Sequence, residues 1–366
     1  MSDSASIRSV FGPFLLATIG IVSSFAQPTA PGPAIAIEPV AAIVDAFRSH
    51  SVVAVMAGHG EARGYAFGLS LVHDSRFVAV VNDIVIEEGS ARYQDVSDRF
   101  VRGEQVTDES LSQIWRNATH PGLGLDRPWE AFFHAVRDVN SALPPERQLR
   151  VVLGDPPIEW ENVRTPEGYD KWLEQRDTFP ADLIQREVLA KGRRALLTYG
   201  QMHFQRKNLV ANYESEGPAA TIVSRLEGRT GTKVFAIWTS TDLAKLQPDV
   251  ARWPVPSIAI VRGTVLGAAD FTFYYPSEAM GRIPIRDGKP DFSHPIPRDQ
   301  WRRLRAEDQF DAVLYPGPEP SAEVTPSVER CADKADINEH LRRMAVAGPP
   351  ALADELKEFC AAAAPK

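Results

Sequence analysis

The chain has 366 residues, 44% hydrophobic and 24% charged, with a formal net charge of −8 and a pI near 5.6. That composition is globular, with enough apolar material for a sizeable core. The acidic balance excludes a nucleic-acid partner, since phosphates require a basic footprint; the short cluster Arg302, Arg303 and Arg305 is followed by Glu307 and Asp308 and reads as a solvated helix face.

Taken in chain order, the N-terminus reads as an export leader. Arg8 precedes an uncharged, mostly apolar run over residues 9–22 that is short for a membrane span, and Ser24-Phe25-Ala26 offers small residues for cleavage after Ala26. Residues 1–26 are thus a signal peptide, and 27–38 a Pro/Ala-rich linker. No later stretch is apolar and long enough to span a bilayer, so the mature chain is expected in the periplasm or secreted, with no stable membrane span.

Residues 39–48 have helical periodicity, and the apolar run 51–56 predicts a buried strand ending in a turn. A helix follows over 61–73. Residues 83–86 form a second buried strand, ending at Glu87-Glu88-Gly89, and Ser90 caps a helix over 91–101. Residues 128–140 are amphipathic, with Trp129, Phe132, Phe133 and Val136 on one side. Further strands are predicted at 150–153, 194–199, 233–238, 258–261 and 312–315, with helices at 182–191 and 218–226. The stretch 270–297 is rich in Pro, Gly and aromatics and reads as a loop excursion or lid.

This alternation predicts an α/β fold, a largely parallel central sheet with helices on both faces, over residues 39–317. Residues 318–366 add a linker and a helical hairpin, 328–345 against 351–362. The chain's two cysteines, Cys331 and Cys360, fall in that hairpin. In an exported protein an isolated pair of this kind predicts a disulfide.

In parallel sheets ligands bind outside the carboxyl ends of the strands. His59, Glu87, Asp155 and His203 each lie within a few residues of such an end. There is no GxSxG elbow, HExxH, P-loop or dinucleotide fingerprint, which disfavours an ordinary serine hydrolase and a nucleotide enzyme. His59 sits between two glycines, which strip bulk from around its imidazole. Two imidazoles and a carboxylate can activate water as base and orienting group, or hold a divalent metal. Asp155, before two prolines, either shapes a turn or joins the site. Glu88 reads as solvated, His134 as packed on its amphipathic helix, and His294 and His340 as surface residues. The triplet Asn117-Ala118-Thr119 matches a glycosylation sequon by chance.

The ordered set VVAVMAGHG, NDIVIEEG, VVLGDPP and RALLTYGQMH resembles the erythromycin esterase, ChaN and Tiki superfamily, over roughly residues 40–315. The resemblance implies an α/β protein and assigns His59 to the motif histidine, Glu87 to the second-strand carboxylate and His203 to the late histidine. It implies either hydrolysis of an ester or amide in a small-molecule or peptide substrate, or binding of haem or iron, with Tyr93 as a further ligand and His59, Glu87 and His203 as a metal set. Where the family has a glutamate two residues before its histidine, this chain has Ala57, and Glu61 lies on the other side of His59. That departure implies a third outcome, a family member with impaired catalysis.

Overall fold

The computed structural model describes residues 30–56, 61–120, 126–209, 220–274, 285–286, 289–290, 297–319, 322, 328–347 and 350–362. The leader and its cleavage site, Ala57, His59 and His294 lie outside the described residues.

Seven strands form one sheet: β1 (Val52–Met56), β2 (Asp83–Ser90), β3 (Arg150–Asp155), β4 (Ala195–Tyr199), β5 (Val234–Thr239), β6 (Ser257–Ile260) and β7 (Ala312–Tyr315), in the order β3-β2-β4-β1-β5-β7-β6. All neighbours are parallel except β6, which runs antiparallel to β7. The strands are buried on both faces, which is why their sequences are apolar runs rather than alternating ones.

Successive residues feed opposite cores. Val52 and Ala54 of β1 join one apolar cluster, with Val152, Leu197 and Trp238; Val53 and Val55 join the other, with Ile84, Phe100, Trp115 and Phe133. The second face is covered by α1 (Pro39–Ala46), α2 (Ala62–His73), α3 (Gln94–Val101), α4 (Asp108–Arg116) and α5 (Asp126–Ser141). After α6 (Pro166–Leu173), the first face receives α7 (Thr178–Glu187) and α8 (Ile222–Thr230).

Both edges of the sheet are partly covered, which limits the backbone left to pair with another chain. At β3 the Gln94 side chain imitates a strand: its amide donates to the Val151 carbonyl at 2.9 Å and its oxygen accepts from the Leu153 N–H at 2.8 Å. At β6, Ile37 exchanges two backbone hydrogen bonds with Ile258, at 2.7 and 2.9 Å.

Several local expectations shift. β2 does not stop at Ile86 but runs to Ser90, with an irregularity against β3 between Ile86 and Ser90. Ser90 is therefore a strand residue and makes no side-chain cap. Helix α8 starts at Ile222, later than expected, because Thr221 and Ser224 form a reciprocal capping box there. The helices Asp108–Arg116 and Pro166–Leu173 are additions to the sequence reading. The segment with Arg302, Arg303 and Arg305 is irregular rather than helical. His340 is not on the surface: it is buried beside the Arg330 guanidinium, and burial and that cation push its pKa down to about 3.

The C-terminal hairpin, α9 (Lys334–Ala347) and α10 (Pro350–Ala362), is joined by a Cys331–Cys360 disulfide. Val346 and Ala347 pack on a small third cluster of Ile158, Trp160, Val163 and Tyr169, which attaches the hairpin beside α6.

Candidate functional site

Two consecutive glutamates at the end of β2 face opposite ways. Because side chains alternate along a strand, Ile86 lies on the α5 side, Glu87 on the α7–α8 side, and Glu88 returns to the α5 side. Glu88 is 3% exposed and accepts the Trp129 indole N–H at 2.5 Å, so it is not a solvated residue. Glu87, also 3% exposed, is the middle of a buried ionic chain.

One Glu87 oxygen accepts from the Arg176 guanidinium, and the other accepts the Gly200 N–H at 2.6 Å. Arg176 stands between Glu87 and Asp155, with its Nε 4.0 Å from an Asp155 oxygen. Asp155 is the last residue of β3, and Thr119 clamps it twice, through N–H to Oδ2 and hydroxyl to Oδ1, both at 2.6 Å. On the other side of Glu87, His203 Nε2 lies 3.5 Å from Oε1, and His203 Nδ1 is 2.8 Å from Asp177 Oδ1. The same Asp177 oxygen accepts the Ile222 N–H at 2.8 Å, so it also neutralises the positive end of α8. The sequence is thus Asp155, Arg176, Glu87, His203, Asp177, with signs alternating along its length.

Burial sets the protonation of this chain. It pushes the Asp155 carboxyl up to about 7, against the opposing pull of Arg176 and the two Thr119 bonds. For His203 burial acts downward, but Asp177 and Glu87 more than offset it and raise the imidazole to about 9. Arg176 is held firmly charged, since Glu87 and Asp155 together outweigh its burial. At neutral pH His203 is an imidazolium, and Asp155 exchanges its proton near pH 7.

Tyr199 supplies the tallest side chain at the centre. Its ring meets the His203 ring edge-on at 5.6 Å, and its hydroxyl is buried with no hydrogen-bond partner among the described residues. Only a glycine fits beneath it, because a Cβ on Gly154 would come within 2.0 Å of the hydroxyl oxygen. Burial, with Glu87 and Asp155 nearby, keeps the phenol protonated.

Of the residues singled out in sequence, Glu87, His203 and Asp155 therefore meet in one network. Tyr93 does not join them. It packs on the opposite core, and its charged neighbours are Arg92, Glu161 and Arg343. Cys331 and Cys360 lie apart, in the hairpin. Arg176, Asp177 and Thr119 escaped the sequence reading. Arg176 and Asp177 sit in a charged stretch between α6 and α7 that looks solvated, and Thr119 belongs to the chance sequon. The usable signal was Asp177, an acid immediately before a helix.

Glu87 and His203, two of the expected metal set, already hold protein partners: Arg176 and the Gly200 N–H take the two Glu87 oxygens and Asp177 holds His203 Nδ1, so a cation there would have to displace Arg176. Among the described residues no group of three His, Cys, Asp or Glu side chains is arranged to hold a metal ion.

Fold and site together define a mostly parallel α/β protein with a buried ionic network at the carboxyl ends of β2, β3 and β4. No family model matches the chain, and no curated protein matches it. Among solved structures it is similar to a succinoglycan biosynthesis protein at 10% identity, over 82% of this chain and 94% of that one, with a TM-score of 0.49. A Bacillus cereus protein is similar at 10% identity, over 81% and 95%, with a TM-score of 0.46. The type III effector HopBA1 is similar at 14% identity, over 59% and 89%, with a TM-score of 0.36. Likeness at this level assigns neither a family nor an activity.

Proposed function

We propose that the chain is an exported hydrolase that cleaves an ester or amide at the carboxyl edge of its sheet, within the erythromycin esterase, ChaN and Tiki superfamily that its motifs resemble. The observation that carries this reading is the contact of Glu87 with His203 inside a buried chain of alternating charge. Two groups there hold protons in the range where acid–base catalysis works, Asp155 near 7 and His203 near 9. The Cys331–Cys360 disulfide supports a location outside the reducing cytoplasm, in the periplasm or beyond the cell.

The protonation of His203 changes its role. An imidazolium cannot accept the proton of an attacking water, so His203 acts as the acid that protonates the leaving alcohol or amine. Glu87 and Asp177 orient it and stabilise its charge. The base role rests with His59, on sequence grounds alone: it takes the water proton as the water oxygen bonds to the carbonyl carbon, and His203 gives its proton to the leaving oxygen or nitrogen as the bond to the carbonyl carbon breaks. Arg176 fixes Glu87 and Asp155 rather than touching substrate.

The test starts with a screen of esters, lactones and peptides on the purified protein. With a substrate in hand, His203→Gln should lower kcat at pH 7 by about 10²-fold or more while circular dichroism stays native. Unchanged turnover in His203→Gln and Glu87→Gln would remove the reading. A family member with impaired catalysis is the rival, favoured by the engagement of both Glu87 oxygens and both His203 nitrogens. It predicts no turnover on any substrate class.

A further inference from the structure

We propose that Arg343, on the disulfide-joined C-terminal hairpin, is a positioning residue for the Asp155 end of the site: it fixes the segment Arg116–Thr119 in the register that lets Thr119 clamp Asp155. The inference rests on the site of the preceding subsection, but its test needs no substrate.

Every link is a direct contact. Arg343 Nη1 donates to the Arg116 carbonyl at 2.8 Å and Nη2 to Asn117 Oδ1 at 2.9 Å, which closes the end of α4. Its guanidinium also lies over the Trp160 ring, 5.2 Å from the centroid. The Trp160 indole N–H donates to the Ala118 carbonyl at 3.0 Å, so the same aromatic that stacks on Arg343 holds the next residue of the segment. The neighbouring Arg342 donates to the Trp160 and Val163 carbonyls, at 2.8 and 2.7 Å, and locks that aromatic's own backbone. One residue beyond Ala118, the Thr119 N–H and hydroxyl reach the two Asp155 oxygens.

An arginine suits this place better than a lysine. Its planar fork spans a backbone carbonyl and a side-chain amide at once, while its face stacks on an indole. Glu339 accepts from Arg343 Nε at 2.8 Å and completes the orientation. The disulfide matters because α9 carries Arg342 and Arg343, and the Cys331–Cys360 bond ties the turn before α9 to the end of α10. Without that tie the hairpin keeps its packing on Ile158, Trp160, Val163 and Tyr169 and the Arg342 and Arg343 bonds, but α9 loses its covalent link to α10.

The charged and titratable groups facing Asp155 are Arg176 between α6 and α7, Glu87 of β2, Tyr169 of α6 and Tyr199 of β4. Among the described residues no hydrogen bond or ion pair joins Arg343 to Asp155; its route to that carboxyl runs through the segment Arg116–Thr119.

The experiment is an NMR titration of the Thr119 amide proton in the full-length oxidised protein, since that proton reports on the carboxyl it contacts. Thr119→Val loses the hydroxyl bond but keeps the amide, and its midpoint should rise by about one pH unit, because a bond to the ionised form has gone. Arg343→Ala should raise the midpoint by about half a unit to one unit. Arg343→Lys should fall between Arg343→Ala and the parent. The double variant should shift no further than Thr119→Val plus about 0.3 unit, the non-additivity of two residues acting through one contact. Reduction of the disulfide should move the midpoint in the same direction by less. If Arg343→Ala fails to fold, Trp160→Phe removes the indole bond to Ala118 and takes its place, with a rise of the same sign. A midpoint that stays at the parent value or falls, in Arg343→Ala or in its substitute, overturns the proposal. Shifts that simply add in the double variant overturn it too. A positive result with no hydrolase activity would leave the positioning role standing and remove only the proposed reaction.

Discussion

Both ends of the central sheet carry carboxylates interleaved with cations, and the two clusters behave differently. At the amino ends of β2 and β3 a cleft of about 360 Å³ is lined by Asp98, Arg150, Glu187, Lys191 and Arg193. There Arg150 bridges Asp98 and Glu187 at 3.0 and 3.2 Å, and Lys191 meets Glu187 at 2.7 Å. Each of these side chains keeps a fifth to a half of its surface in water. At the carboxyl ends, Glu87, Asp155, Arg176 and His203 are 3 to 16% exposed; burial lifts the Asp155 carboxyl to about 7, and Asp177 and Glu87 outweigh burial to raise His203 to about 9. Around Glu187 these residue types give a screened, partly solvated arrangement, although Arg193 of the same cleft also pairs with the buried Asp83, whose carboxyl burial pushes up; at the carboxyl ends the whole chain is buried. Burial, not charge count, separates them.

The largest effect expected from this contrast follows from Arg176→Ala. It would leave Asp155 buried without a cation and Glu87 with only His203, and should cost about 3–5 kcal/mol in urea denaturation at pH 7.5. Arg150→Ala, which also strips two carboxylates of a partner, should cost about 1 kcal/mol or less, because water replaces the cation. Equal losses in the two variants would erase the distinction between the two ends.

Two pH windows come next, each on the order of 3–4 kcal/mol. The folded His203 is raised to about 9 from 6.5, so its stabilisation is complete below pH 6.5 and is lost as pH rises through 9. The folded Asp155 is raised to about 7 from 3.8, so burial costs nothing below pH 3.8 and a growing amount up to pH 7. Both groups make the fold less stable as pH rises, in windows that meet near pH 6.5–7. His203→Gln should flatten the stability curve between pH 6.5 and 9 only, and Asp155→Asn between pH 3.8 and 7 only. Chemical denaturation across the pH series measures both, and a slope that survives the matching substitution would refute that assignment.

How far sequence could reach is visible in the same residues. The strands were legible because each is an uninterrupted apolar run, and the runs are apolar because both faces of the sheet are covered. Glu87 and His203 were legible because a carboxylate and an imidazole stand where such runs end. Arg176 was not, because nothing local marks a charged residue between two helices as buried; its burial comes from partners 89 and 21 positions away, Glu87 and Asp155. Glu88 misled for the opposite reason. The expected end of β2 at Ile86 put it in a turn, whereas the strand's continuation to Ser90 turns it inward, onto Trp129. Tyr93, named as an iron ligand, lies on the opposite core because the turn after β2 carries it away from Glu87.

The smallest predicted effect tests the solvated end from its own side. Lys191, Arg150 and Arg186 hold Glu187 down to about 2, which by itself suggests a strong interaction. A depressed carboxyl stabilises the fold above its ordinary value of 4.5 and loses that contribution as pH falls toward 2. Yet Lys191 keeps 52% of its side chain in water, and Glu187 21%. Solvent screening therefore discounts most of the gain, and Lys191→Ala should cost about 0.5 kcal/mol or less at low salt. That remainder should fade in 0.5 M NaCl, where the Debye length shrinks to about 4 Å, while the cost of Arg176→Ala should persist because salt does not reach a buried pair. A Lys191→Ala loss above about 1.5 kcal/mol that resists salt would mean that the amino end is as well sealed as the carboxyl end. The contrast between the two clusters would then have to rest on the hydroxyl of Tyr199 and the imidazole of His203 rather than on exclusion of water.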